Sequence, residues 1–275
     1  MNKIALAWIL VLAALAAIAP WLPLPDPEFM DAGARLSAPA WSGAPLLGTD
    51  PLGRDLLARV LAGARISLFV GLLGTGVALL VGVPYGALAG LLGGRADRFM
   101  MRAADALESV PMVVIMLFLL ALLQEYRAEL ATLGLGRLQL FLAAVGLLFW
   151  LPAARVARAE TLRLRGQAFI LAAQAGGASR PRVLAQHVLP NLAPSIGTLL
   201  MLTLPRVVLM EAFLSFLGLG VEPPAVSWGL LAADGMAALN PLVDCWWLIA
   251  VPSVFLVLTL WALDALARGL VAMKP

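Results

Sequence analysis

The sequence has one cysteine, Cys245, and one histidine, His187, among 275 residues. A lone thiol cannot close an internal disulfide, and one cysteine with one histidine cannot supply the clustered ligands of the usual zinc sites. Lysine is nearly as scarce, with only Lys3 and Lys274 at the two ends. A phosphate loop of the form GxxxxGK[ST] needs a lysine that reaches the nucleotide phosphates, so the chain cannot hydrolyse ATP by that route. HExxH and GxSxG are both missing, and a single histidine leaves most nucleophilic triads without a base. Neither catalysis nor a bound cofactor is expected on this chain. Charge itself is sparse: 13% of residues are charged and 62% are hydrophobic, against about 25% and 45–50% in an ordinary soluble domain. With a mean hydropathy of +0.96, the chain has too few polar side chains to cover a water-facing core and reads as an integral membrane protein.

About 20 apolar residues cross the hydrocarbon as a helix. Six runs of that kind are present, at Ile4 to Leu24, Ile66 to Leu92, Met100 to Leu123, Leu138 to Val156, Ala193 to Leu217 and Trp246 to Leu266. The first has the look of a signal peptide, with Lys3 ahead of it and small residues at Ala17 and Ala19. Pro20 directly after that cleavage point argues for a retained span. With both termini in the cytoplasm, the inner segments carry twelve lysines and arginines and the outer ones six, as the positive-inside rule requires. Residues 1–65 then hold the first span and an external loop with a short amphipathic helix, and residues 66–275 hold a five-helix core. Two further external stretches follow, a short one at Gln124 to Arg137 and a longer one at Gly218 to Asp244 with proline turn signals around Glu222.

Few polar residues fall within the runs: Arg206, Glu211 and Asp264, with Asp105 and Glu108 nearer the inner end of the third. An intramembrane arginine costs about 2.5–3.5 kcal/mol on insertion scales and should face protein or water. Arg206 and Glu211 stand about 140° apart around a helix and do not share a face. Each is either a lining or gate of a solute path, or a residue that snorkels or bonds a neighbouring helix. Gly82, Gly86 and Gly90 recur every four residues and form a smooth ridge for close helix packing.

The stretch FILAAQAGGASRPRVLAQHVLPN, Phe169 to Asn191, interrupts two apolar runs with basic residues and a glycine pair. Gly166 to Gln174 is expected to form a short helix, Gly176-Gly177 to turn it, and Ser179 with Pro181 to start a second helix ending before Pro190. The first helix would present Phe169, Ile170, Leu171, Ala172 and Ala173 to water, an apolar patch that usually docks into something.

These residues resemble the "EAA" loop of ATP-binding-cassette importer permeases, through Ala172, Ala173, Gly177 and Leu189-Pro190. LGTDPLGRD at Leu47 to Asp55, GARISL at Gly63 to Leu68, HVLPN at His187 to Asn191 and SFLGLGVEPPAVSWG at Ser215 to Gly229 narrow the resemblance to the C-type permease of the peptide and nickel importer branch. The resemblance implies an all-α polytopic protein of the bacterial-type cytoplasmic (inner) membrane, with six transmembrane helices and the type I importer permease fold. It implies half of a translocation pathway, completed by a second homologous permease subunit. Two ATPase subunits carrying ATP and Mg, and an extracytoplasmic solute-binding protein, complete the assembly. Segment 166–191, within a cytoplasmic loop at 159–192, would dock the ATPase through Phe169, Ile170, Leu171, Ala172, Ala173, Gly177 and Arg180. Arg206 and Glu211 would belong to the path or its gate. The cargo would be a peptide, or nickel or a metal chelate. Three positions depart from the family loop: its Glu is Leu171, its Arg is Gln174 and the Leu before its glycine is Gly176. A gradient-driven carrier that works without an ATPase is the rival reading.

Overall fold

The bends and lengths of the helices, more than their number, set this architecture apart from a plain row of spans. A computed structural model describes residues 2–40, 45–132, 137–221, 223–240 and 243–272. Glu222 and Lys274, used above, lie outside them. Among the described residues all regular structure is helical, and the only β pairings are two isolated bridges. The principal helices are α1 (Lys3–Ile18), α2 (Leu56–Leu92), α3 (Gly94–Glu108), α4 (Met112–Glu125), α5 (Arg127–Thr132) and α6 (Arg137–Arg165). After them come α7 (Ala168–Ala175), α8 (Arg180–Val183), α9 (Leu189–Asn191), α10 (Ala193–Phe216), α11 (Trp228–Ala237) and α12 (Trp247–Ala272). Five helical stretches are long and apolar enough to cross a membrane, and α3 with α4 makes a sixth only as a broken pair.

Two expectations change here. The second span and the amphipathic helix before it are one helix, because Leu56 to Arg65 contains no breaker beyond Gly63 and the Asp55 carboxylate caps the start, accepting from the Ala58 amide at 2.9 Å. At 37 residues, α2 is roughly 55 Å long, far more than the ~30 Å hydrocarbon core. The third span is not a single helix. Pro111 forces Val110 away from helical geometry, α3 ends at Glu108, and α4 leaves at a bend of 81°. Elsewhere α6 runs on through Arg165, nine residues past the expected end, on a polar last turn.

By its contacts the chain divides into two units, Met1–Leu72 with Leu204–Pro275, and Leu73–Thr203. In the first unit α1 packs on α12 through Ala5, Ala262 and Leu266, and the Trp8 indole donates to the Thr259 hydroxyl at 3.2 Å. A second cluster joins Leu12, Val60, Trp228, Leu231, Trp247 and Leu248. Gly229 and Gly235 allow α11 to close on Ala212 of α10 and Leu248 of α12, where a Cβ would strike backbone.

In the second unit the glycine ridge does what its spacing predicts. A Cβ on Gly82 or Gly86 would collide with the Trp150 or Ala154 carbonyl of α6, and one on Gly90 would lie 2.8 Å from that of Arg158. Tyr85 and Trp150 stack edge to face beside this seam, centroids 4.6 Å apart. The ridge yields a test with an internal control. Gly86→Leu should cost about 1–3 kcal/mol and lower the melting temperature in detergent. Gly76→Leu, on the same helix where nothing lies within 4 Å, should change it little. Equal shifts would show that the close approach of α2 and α6 does not matter to stability.

Candidate functional site

The loop after α6 folds as a helix, a turn and a second helix. Gln167 is the N-cap of α7, which has no charged residue in its eight positions. It ends in a Schellman turn: the Ala178 amide donates to Ala173 O at 3.0 Å, the Gly177 amide donates to Gln174 O at 3.0 Å, and Gly177 has φ +82°. That left-handed backbone is what demands glycine, since the space around it is open. Ser179 caps the next helix by position, with Pro181 in its first turn, but its side chain makes no cap hydrogen bond.

This second helix does not stop before Pro190. It widens into a π turn over Leu184–Val188 and continues as α9, so Pro190 is accommodated inside a helical run. The Asn191 side chain donates to His187 O at 2.7 Å and satisfies one carbonyl there.

One of the proposed docking residues points inward. Ile170 is fully buried, in a cluster with Leu164, Val183, Val188, Leu192 and Leu199, because the single-turn spacing of α7 gives it one inner face against the α6 and α10 stems. The outer face keeps Phe169, 40% exposed, and Leu171, 52% exposed, with Ala172, Gly177 and Arg180 also exposed and Ala173 half-buried. Ile170 thus anchors the helix whose other side is exposed.

In the first unit Glu211 lies on α10 with no exposed surface. Its carboxylate accepts from Ser67 Oγ of α2 at 3.0 Å and from Ser215 Oγ at 2.7 Å. Ser215 Oγ in turn accepts from the Val221 amide at 3.1 Å, while the Trp228 indole donates to Val60 O at 3.1 Å. The carboxylate therefore ties α2, α10 and the loop that leads to α11, and it is closed off from any open lining. Arg206 is exposed and is not brought to Glu211's side of the helix, as their angular separation predicts. Asp264 forms an exposed i,i+4 pair with Arg268 at 2.5 Å, and Asp105 and Glu108 both meet Arg155.

A charged cluster around the LGTDPLGRD stretch was not singled out from the sequence. Asp50, 2% exposed, accepts from Arg54 Nε and Arg59 Nη1, each at 2.7 Å, and Arg59 Nη2 donates to Asp234 Oδ2 of α11 at 3.3 Å. Asp50 also accepts the Leu52 and Arg54 amides, so its lone pairs are well used. Closely spaced charges in so apolar a chain were the available signal, but Asp234 is 175 residues from Arg59 and no local pattern announces it.

Residues 82–273 match the protein family described as "Binding-protein-dependent transport system inner membrane component". The chain belongs to this family and is a multi-pass protein of the bacterial cytoplasmic membrane. It is 35% identical over 272 residues to the oligopeptide transport system permease protein OppC of Haemophilus influenzae, covering 98% of this chain and 83% of that protein. The dipeptide transport system permease protein DppC of Bacillus subtilis is 35% identical over 275 residues, with 98% and 80% covered. OppC of Salmonella typhimurium is 38% identical over 272 residues, with 98% and 85% covered.

The role of the buried carboxylate can be separated from that of its shape. Glu211→Ala leaves the buried hydroxyls of Ser67, Ser215 and Ser227 without their carboxylate, each worth on the order of 1–3 kcal/mol, and should lower the melting temperature in detergent clearly. Glu211→Gln keeps one acceptor oxygen and most of the volume, so its loss should be smaller. If the two variants melt alike, the serine contacts are not what the carboxylate supplies.

Proposed function

We propose that this chain is one permease subunit of an ATP-driven importer of peptides, forms half of the translocation pathway, and receives the work of a cytoplasmic ATPase through segment 166–191. The observation that carries this reading is similarity along nearly the whole chain to permeases named for oligopeptide and dipeptide transport. The form of α7 supports the coupling step. It is short, uncharged and half exposed on an apolar face, and Ile170 roots it in the packing of α6 and α10. A push on Phe169 and Leu171 therefore reaches the stems of two spans through close-packed side chains instead of being absorbed by a loose loop.

In this scheme both termini and the 166–191 segment face the cytoplasm. ATP and Mg reside on two partner ATPases, a second homologous permease completes the path, and an extracytoplasmic binding protein delivers the solute. ATP binding closes the ATPases, α7 moves with them, and the spans open outward. With Leu171 and Gln174 where the family carries an acid and an arginine, docking leans on apolar contact, and the groove that receives α7 is correspondingly less charged. Arg206, exposed on α10, lines the path or its outer edge, while Glu211 holds the elements around it in register.

Gly177→Asp tests the coupling. Forcing a side chain into the left-handed turn costs about 1–2 kcal/mol and adds a charge at the docking face. In vesicles holding the assembled importer, ATP-dependent peptide uptake should fall about tenfold while the subunits remain together. Undiminished uptake would contradict the role of this segment. Uptake that persists without ATP and collapses with the ion gradient would favour a gradient-driven carrier.

A further inference from the structure

Helix α3 pairs its acids with a neighbouring helix and not its arginines. Its three acids are all taken by α6: Asp97, 6% exposed, holds Arg158 through both oxygens, the second at 2.7 Å, and Asp105 and Glu108 share Arg155. Ala104 is buried on the same side, and the Tyr85 hydroxyl donates to the Met100 carbonyl at 2.9 Å, fixing which face turns inward.

The arginines of α3 make no such pairs. At about 100° per residue, Arg95, Arg98 and Arg102 fall within about 60° of one another and about 80–160° from Asp97 and Glu108, with the Arg155-paired Asp105 at the edge of the stripe, about 20° from Arg98. All three are exposed, and among the described residues none meets a carboxylate; Arg98 Nε donates only to Gly94 O, at 3.3 Å. Arg165, also exposed, sits over Gly93 at the start of the same helix, on the side of Asp97 rather than of the stripe. Beside the stripe stands Phe99, 76% exposed.

Direction decides what this face meets. With six charges in 15 residues, α3 does not belong in hydrocarbon. Helix α4 carries no charge before Glu125 and turns away by 81°. With α4, 14 residues and about 21 Å long, entering the hydrocarbon along the bilayer normal, the 81° bend lays α3 nearly flat along the surface. A flat helix with an arginine stripe and a neighbouring exposed aromatic has the make-up of an interfacial helix on an anionic surface.

We propose that α3 binds anionic phospholipid headgroups through Arg95, Arg98 and Arg102, with Phe99 seated at the acyl boundary. The binding holds the α3–α4 elbow at the depth where Arg155 and Arg158 clamp it to α6. It is independent of the identity of the transported solute.

The test uses the full chain carrying Phe99→Cys, labelled with an environment-sensitive fluorophore; the native Cys245 is buried and is left unlabelled. In vesicles of phosphatidylcholine the emission should be that of a wet site, and added phosphatidylglycerol should shift it to the blue. High salt, or the combined changes Arg95→Gln, Arg98→Gln and Arg102→Gln, should abolish that shift. With Phe99 intact, phosphatidylglycerol retained in native mass spectrometry should fall about fivefold for each arginine removed. The salt arm needs no variant and so does not depend on the triple change folding. Identical emission in neutral and anionic vesicles would overturn the proposal. So would a shift that ignores lipid and comes only when ATPase subunits are added, which would make the stripe a protein-docking face.

Discussion

A bilayer offers the peptide backbone no water, so every amide and carbonyl in its interior needs a partner within the protein. The structure follows from that constraint. Its apolar runs become helices, which satisfy their own backbone, and breaks fall where charge and turn residues signal an exit from the hydrocarbon. Four of the long helices nevertheless carry an internal proline, at Pro84, Pro152, Pro205 and Pro252, without interruption. Pro111 behaves differently because it follows a charged, water-compatible helix; there the chain turns by 81° instead of bending through.

With hydrophobic exclusion weak between helices already in oil, association depends on close approach and on polar contacts. Both devices are present and divide the work. The seam of α2 and α6 is built on glycines and alanines, with backbone nearly touching backbone. The surroundings of Glu211 and Asp50 are built on saturated acceptors: a carboxylate shared by three serines, and an aspartate shared by two arginines and two amides. Arg59 is not fully served, since its Nε has no partner among the described residues. Removing any one member of such a cluster leaves the others buried and unpaired, which is why these positions carry more stability than their surface area suggests.

Most of the helical plan was legible because hydropathy and length are strong signals over 20 residues. The turn after α7 was legible for a local reason, as a glycine pair after a short apolar helix prescribes a left-handed cap. What escaped was non-local or masked. The inward side of α7 could not be told from its outward side, because Phe169 to Ala173 are all apolar and only tertiary packing selects Ile170. The fusion of the amphipathic helix with the second span escaped because charges at Arg59 and Arg65 read as an end, when one is buried in an ion-pair cluster and the other is exposed on an unbroken helix. The elbow at Pro111 had its signal in Ser-Val-Pro, but the apolar run on its far side hid it. Pro190 was read as a stop, where a π turn absorbs it.

A permease that is half of a pathway driven by ATPases on other chains should be found in the membrane together with them. The most direct measurement is mild detergent purification of the chain from its native membrane, with the co-purifying proteins identified and assayed for ATP hydrolysis. The account predicts recovery with a second, related permease and with ATPase subunits whose hydrolysis survives purification. Repeated recovery of the chain alone, active in solute transport with only an ion gradient, would contradict it.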